Sequence, residues 1–271
     1  AQALALDAAL QARGHEARSF IAMRCSPPFS EDCARAVAQF APEKIVLLPL
    51  YPQFSTTTTG SSFQAWNSAA TKQGLDTPTA RVCCYPQMGG FASAVGDLVR
   101  ATWERRKAGL DYRLLLSAHG LPERTIARGD PYQWQVEQSA AAIVDGLGIK
   151  GLDWRVCYQS RVGPLKWIGP ATDAEIRKAG AECKGVVIAP IAFVSEHSET
   201  LVELDIEYAH LAGTAGVPDY LRVPTVGTTR AFVEGLADLV ERVSVTCGTA
   251  SGADGRICPR GFGACAMETA R

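Results

Sequence analysis

The chain has 271 residues, 47% hydrophobic and 20% charged, enough for one large or two medium globular domains. Its 27 basic and 28 acidic residues leave a net charge of −1, which offers nucleic acid no basic face, and no apolar run reaches the length of a membrane span. No basic segment leads into a short apolar core at the start, and nine cysteines without framework spacing read as reduced thiols in a cytoplasmic protein.

Apolar periodicity and chain breakers predict the elements in order. "AQALALDAALQARG" reads as a helix stopped by Gly14, "SFIAMR" as a strand and "SEDCARAVAQFA" as a helix. "KIVLLPLY" is a buried strand, and a Thr/Ser/Gly loop, "STTTTGSS", leads into a helix near Trp66. "ARVCCYP" is a strand and "GFASAVGDLVRATWERRKAG" a helix whose charged end suggests a domain boundary. The alternation then repeats. The strands are "YRLLLSA", "WRVCYQ", "GVVIAPIAF" and "YLRVPTV"; the helices follow at "DPYQWQVEQSAAAIVDGLG", "TDAEIRKAG", Glu196 to Leu211 and "TTRAFVEGLADLVERV". A Gly- and Cys-rich tail without periodicity closes the chain.

This alternation predicts an α/β fold of two doubly wound, parallel-sheet halves of Rossmann type, over residues 1–110 and 111–245, with a tail over 246–271. The first half opens on a helix and counts one strand fewer than the second, so its first strand is expected to be missing. "VLLPLYPQFS" and "VVIAPIAFVS" echo one another, as a duplicated unit would.

In open parallel sheets ligands sit beyond the carboxyl ends of the strands. Those places hold His119-Gly120-Leu121-Pro122, Ser160-Arg161 with Trp167, Ser195-Glu196-His197, and Pro52-Gln53-Phe54-Ser55. On a regular helix Glu199, Glu203 and Glu207 share about 80° of arc, with no interleaved Lys or Arg. A solvated acidic face is the plain reading; stacked carboxylates beside a histidine also suit a divalent cation or a proton relay. An imidazole accepts a proton near neutral pH, so His119 is a candidate base. Trp167, Phe193 and Phe54 read singly as packing residues and together as walls for a flat apolar ligand. Neither G-x-G-x-x-G nor a Walker A pattern occurs, so no nucleotide is expected.

"LLLSAHGLPERTIARGDPY", "CYQSRVGPLKWIGP", "IAFVSEHSETLVELDIEY" and "LLPLYPQFSTTTTGSS" resemble the ferrochelatases, from Ala1 to about Val245. The resemblance implies insertion of Fe(II) into a porphyrin, protoporphyrin IX or coproporphyrin, at the end of haem synthesis, in a cleft between two halves. It implies an extra N-terminal strand with a "GGSP"-type loop, absent here. It marks His119 and Glu199 as catalytic, and His119, Glu199, His197 and Glu203 as metal-contacting, with Asp205 on the same acidic helix. Arg24, Phe54, Ser55, Trp167 and Phe193 fall at porphyrin-binding positions. The segment around Arg24 reads "MRCSPP", with Cys25 where the family has tyrosine.

A cobalt or nickel tetrapyrrole chelatase would need the same His and carboxylates, and a truncated, non-catalytic porphyrin-binding remnant is the rival from another class. Peripheral contact with the inner membrane is compatible with the composition. Some ferrochelatases carry a [2Fe–2S] cluster. The tail supplies Cys247, Cys258 and Cys265, and a fourth ligand would come from elsewhere, with Cys25, Cys84 and Cys157 to choose among.

Overall fold

The computed structural model describes residues 1–161, 163–246 and 248–267. The chain begins with α1 (Gln2–Ala12), α2 (Ser30–Phe40), β1 (Ile45–Leu47), a π-helical turn (Thr56–Gly60), α3 (Ser61–Lys72), β2 (Thr79–Val82) and α4 (Gly89–Trp103). It continues with β3 (Tyr112–His119), α5 (Glu123–Ala127), α6 (Tyr132–Leu147), β4 (Asp153–Gln159), α7 (Thr172–Ala181) and β5 (Gly185–Pro190). The last elements are α8 (Ser198–Leu201), a second π-helical turn (Glu203–Glu207), α9 (Tyr208–Thr214), β6 (Tyr220–Arg222), α10 (Arg230–Ser244) and β7 (Gly248–Ala250). Two compact units result. One comprises Ala1–Gly90, Gly129–Pro131 and the chain from Thr228 on; the other comprises Phe91–Arg128 and Tyr132–Gly227.

In the first unit β1, β2 and β7 make a parallel sheet in that order. α10 belongs to this unit, although chain order groups it with the second half. Its buried Phe232, Leu236, Leu239 and Val243 form one side of the helix, which packs against β1, β2 and α1. Arg13, just past α1, binds Glu234, Asp238 (2.7 Å) and Glu241 (2.7 Å) on α10.

Three expectations are corrected here. "SFIAMR" forms no strand: it is largely exposed and makes only the isolated bridge Met23–Phe29, because no described strand runs alongside to take its N–H and C=O groups. "STTTTGSS" is not a loop but a π-helical turn running into α3, stabilised by a buried carboxylate. Thr56 donates its N–H (2.8 Å) and hydroxyl (2.7 Å) to Asp130 Oδ2, which also accepts from Ser55 Oγ (3.0 Å). The tail is not featureless: β7 pairs in parallel with β2, through backbone alone, which leaves no side-chain period to read.

In the second unit four parallel strands lie in the order β4-β3-β5-β6, the strand count expected of the second half. β3 and β5 are buried almost throughout, as central strands covered on both faces must be. Leu115, Ile176, Ile188 and Leu204 share its core. The register sets His119 beside Gln159 and Ser117 beside Pro190, so the polar residues collect at the carboxyl edge. The single helix expected over Glu196 to Leu211 is broken. His197 accepts the Glu199 N–H on Nδ1 (3.1 Å) and caps α8, while the Glu207 N–H reaches back five residues to the Val202 carbonyl (3.0 Å). The π turn inserts a residue and resets the phase of the acidic face.

Candidate active site

β3 delivers His119 at its carboxyl end, and Tyr132 donates its hydroxyl to the His119 carbonyl (2.9 Å). Nδ1 of His119 lies 3.0 Å from Glu199 Oε2, on the first turn of α8. The two side chains are 36% and 39% exposed, so the pair is anchored yet reachable. The His119 ring beside it holds the Glu199 carboxyl below the usual carboxylate range, against the opposing pull of burial. With Nδ1 engaged, Nε2 is the nitrogen left for chemistry. Phe193 lies edge-on to both imidazoles, its centroid 6.3 Å from His119 and 4.6 Å from His197. Trp167, half-buried, is placed by an antiparallel bridge with Pro122 in the loop after β3.

The structure thus gathers His119, Glu199, His197 and Phe193 in the second unit. Glu203 also belongs there, but its carboxylate accepts from Gln159, Ser160 and Tyr208. Asp205 is paired with Arg222 through two bonds of 2.6 and 2.7 Å, and Glu196 with the same guanidinium at 2.6 Å. The acidic helix therefore has its relieving cation after all, supplied by β6 rather than by the helix itself. Glu207 is exposed. Gln159 and Arg222 were not singled out in the sequence, and Ser160 was placed on the rim without a role; a glutamine ending a buried strand was the available signal for the first.

The other expected residues lie in the first unit. Arg24 is exposed. Ser55 is fully buried in the Asp130 network. Phe54 is 4% exposed and packs with Cys83 and Cys84 against Ile257, Ala266 and Met267. Those two cysteines have sulfurs 3.3 Å apart. Cys84 also contacts Cys258, and Cys258 contacts Cys265. Hydrogen bonding to Cys258 and Cys83, then burial, pushes the Cys84 thiol up; Cys258 and burial do the same to Cys265. Of the expected cluster ligands, Cys247 lies outside the described residues. Among the fourth-ligand candidates Cys84 meets the tail, whereas Cys25 is exposed and Cys157 is buried on β4 of the other unit.

The sequence model of the ferrochelatase family matches residues 1–244. A ferrochelatase of Caulobacter vibrioides is 54% identical over 275 residues, 98% of this chain and 78% of the relative. One from Phenylobacterium zucineum is 53% identical over 270 residues, 99% and 77% respectively. The chain belongs to the ferrochelatase family. Its activity is the insertion of Fe(II) into a porphyrin, a lyase reaction of haem synthesis. Among solved structures it resembles SirB from Bacillus subtilis (TM-score 0.61, 11% identity, 89% of this chain and 88% of that one). It also resembles a multi-domain chelatase-like protein from Deinococcus radiodurans (TM-score 0.53, 15% identity, 90% and 50%). These likenesses show the chelatase fold. The closer ferrochelatase relatives, not the fold, decide between iron and the cobalt or nickel alternative.

Proposed function

We propose that His119 and Glu199 are the ferrochelatase's proton-handling pair. The observation that carries this is the 3.0 Å contact of His119 Nδ1 with a Glu199 carboxylate kept below its usual range. Insertion of Fe(II) replaces two pyrrole N–H protons, so the site must accept protons as the iron–nitrogen bonds form. His119 takes a pyrrole proton on Nε2, while Glu199 accepts the Nδ1–H bond, fixes the ring and stabilises the imidazolium. Phe193 and Trp167 present apolar surface to the macrocycle, and His197 turns Glu199 toward His119 by capping α8. Glu199→Gln keeps the shape but removes the charge. Its kcat for iron insertion is expected to fall about 100-fold; unchanged kcat with a raised KM for Fe(II) would make Glu199 a cation-binding residue only.

The same proposal includes a [2Fe–2S] cluster in the first unit, on Cys83, Cys84, Cys258 and Cys265. Four thiols in a chain of contacts, Cys83 to Cys84 to Cys258 to Cys265, supply the donor kind and number. Among the described residues no group of three or more His, Cys, Asp or Glu is already arranged to hold a metal ion, so the thiols would adjust on loading. The raised values of Cys84 and Cys265 mean that binding there would displace protons. Peripheral membrane contact is supported by Leu201, Val202 and Ile206, large apolar side chains exposed beside the site. Among the described residues no helix is long and apolar enough to cross a membrane. The location proposed is cytoplasmic.

A further inference from the structure

Glu203 sits one turn beyond Glu199, where a row of carboxylates would pass a cation inward. Its surroundings are those of a structural acceptor. Oε1 accepts the backbone N–H of Ser160 (2.7 Å) and the Tyr208 hydroxyl (2.9 Å). Oε2 accepts the Ser160 hydroxyl (2.5 Å) and Gln159 Nε2 (2.9 Å). A carboxylate has about four lone-pair sites, and all are spent on protein donors. Such a group has nothing left for iron.

The donors explain what Glu203 holds. Ser160 has φ of 59°, the left-handed region that a non-glycine residue adopts only where its surroundings fix it. It turns the chain out of β4 into the loop that returns with Trp167. Gln159, fully buried, donates a second bond to the Glu199 carbonyl (2.8 Å) and accepts from Ser117 Oγ (2.8 Å). Its own carbonyl takes the Gly120 N–H (2.8 Å), next to His119. A closed path therefore runs from Glu203 through Gln159 to the backbone of Glu199 on one side and of Gly120 on the other.

We infer that Glu203 is a positioning residue, a clasp that sets the left-handed turn at Ser160 and, through Gln159, the distance between Glu199 and His119. This rests on the reading of His119 and Glu199 as the reacting pair, but the clasp can be read without it. Three measurements on the whole chain test it. In the wild type the Ser160 amide should exchange with deuterium far more slowly than exposed loop amides, and in Glu203→Gln at their rate. Iron insertion by Glu203→Gln should lose about 10- to 100-fold in kcat, the cost of a misplaced reacting group, with KM for Fe(II) within about twofold. Adding Ser160→Gly, which takes up the left-handed turn freely, should restore part of that kcat. Glu203→Asp, which withdraws the acceptor while keeping the charge, should behave like Glu203→Gln and serves if the latter does not fold. A Ser160 amide already unprotected in the wild type would overturn the clasp. So would a kcat retained with KM for Fe(II) raised tenfold or more, or a loss that Ser160→Gly leaves untouched. Should Glu199→Gln prove fully active while the exchange result holds, the reading of the reacting pair fails and the clasp stands.

Discussion

Arg113, the second residue of β3, has a side chain only 3% exposed. Asp153 (2.8 Å) and Glu182 (2.8 Å) bind its guanidinium, and Lys184 adds a bond to Asp153 (2.7 Å). Burial alone would raise the Asp153 carboxyl, but Arg113 and Lys184 outweigh it and bring it down to about 2. A folded value below the ordinary one means that the pairing stabilises the fold above about pH 4. That contribution is lost as pH falls toward 2. Asp153→Asn should cost about 2 kcal/mol at pH 7, less than for a fully buried pair because Glu182 still meets Arg113. It should also flatten the loss of stability between pH 4 and 2. Urea unfolding of both proteins at pH 7 and pH 3 checks this; a difference that stays the same at both values would contradict it.

At the scale of elements, close packing is enforced where glycine allows it. A Cβ on Gly180 of α7 would lie 2.0 Å from the Ala215 carbonyl oxygen, backbone that has no side chain to swing away. Gly180→Ala should destabilise by about 3 kcal/mol or more, read as a lowered urea midpoint at unchanged slope; a variant within 1 kcal/mol of wild type, about the spread of surface substitutions, would show that α7 and α9 shift freely. A Cβ on Gly120 would meet the Gln159 carbonyl at 2.9 Å and Trp167 Cε3 at 3.4 Å. Gly120→Ala should therefore lower kcat more than stability, since it parts β3 from β4 where His119 emerges.

The elements also show what the residue pattern could carry. β3 and β5 were legible because buried parallel strands are unbroken apolar runs, and His119 because it ends one of them. His119 and Glu199 both fall on the carboxyl rim because each follows a buried strand, and their partnership was implied by the family resemblance. The phase of the acidic helix was not legible, because a π turn depends on backbone bonds that reach back five residues, Glu207 to Val202 and Tyr208 to Glu203, and no side chain announces them. Arg222 was hidden for a related reason: it neutralises Glu196 and Asp205 from a strand that begins 13 residues beyond Glu207. β7 escaped because Gly-Thr-Ala has no period, and its place beside β2 is what brings the tail cysteines near Cys83 and Cys84.

For the molecule as a whole, the echo between "VLLPLYPQFS" and "VVIAPIAFVS" extends to structure: in each unit a π-helical turn comes after the parallel strand, directly in the first and beyond the single turn of α8 in the second. The two turns have parted in use, one wrapped on Asp130 and the other carrying Glu203. The first unit's thiol group gives a prediction of its own. Protein purified without oxygen from cells able to build clusters should show visible absorption and acid-labile sulfide, lost in Cys84→Ser and Cys258→Ser and kept in Cys25→Ser and Cys157→Ser. Colourless protein without sulfide would remove the cluster.

The central claim is that this ferrochelatase removes pyrrole protons through His119. It is tested most directly by the rate of Fe(II) insertion into porphyrin by His119→Ala, followed by the change in porphyrin absorption, with unfolding measured on the same sample. Near-complete loss of turnover, about 1,000-fold or more, in a protein that unfolds like the wild type is the predicted result. A folded His119→Ala that keeps most of its turnover would contradict it.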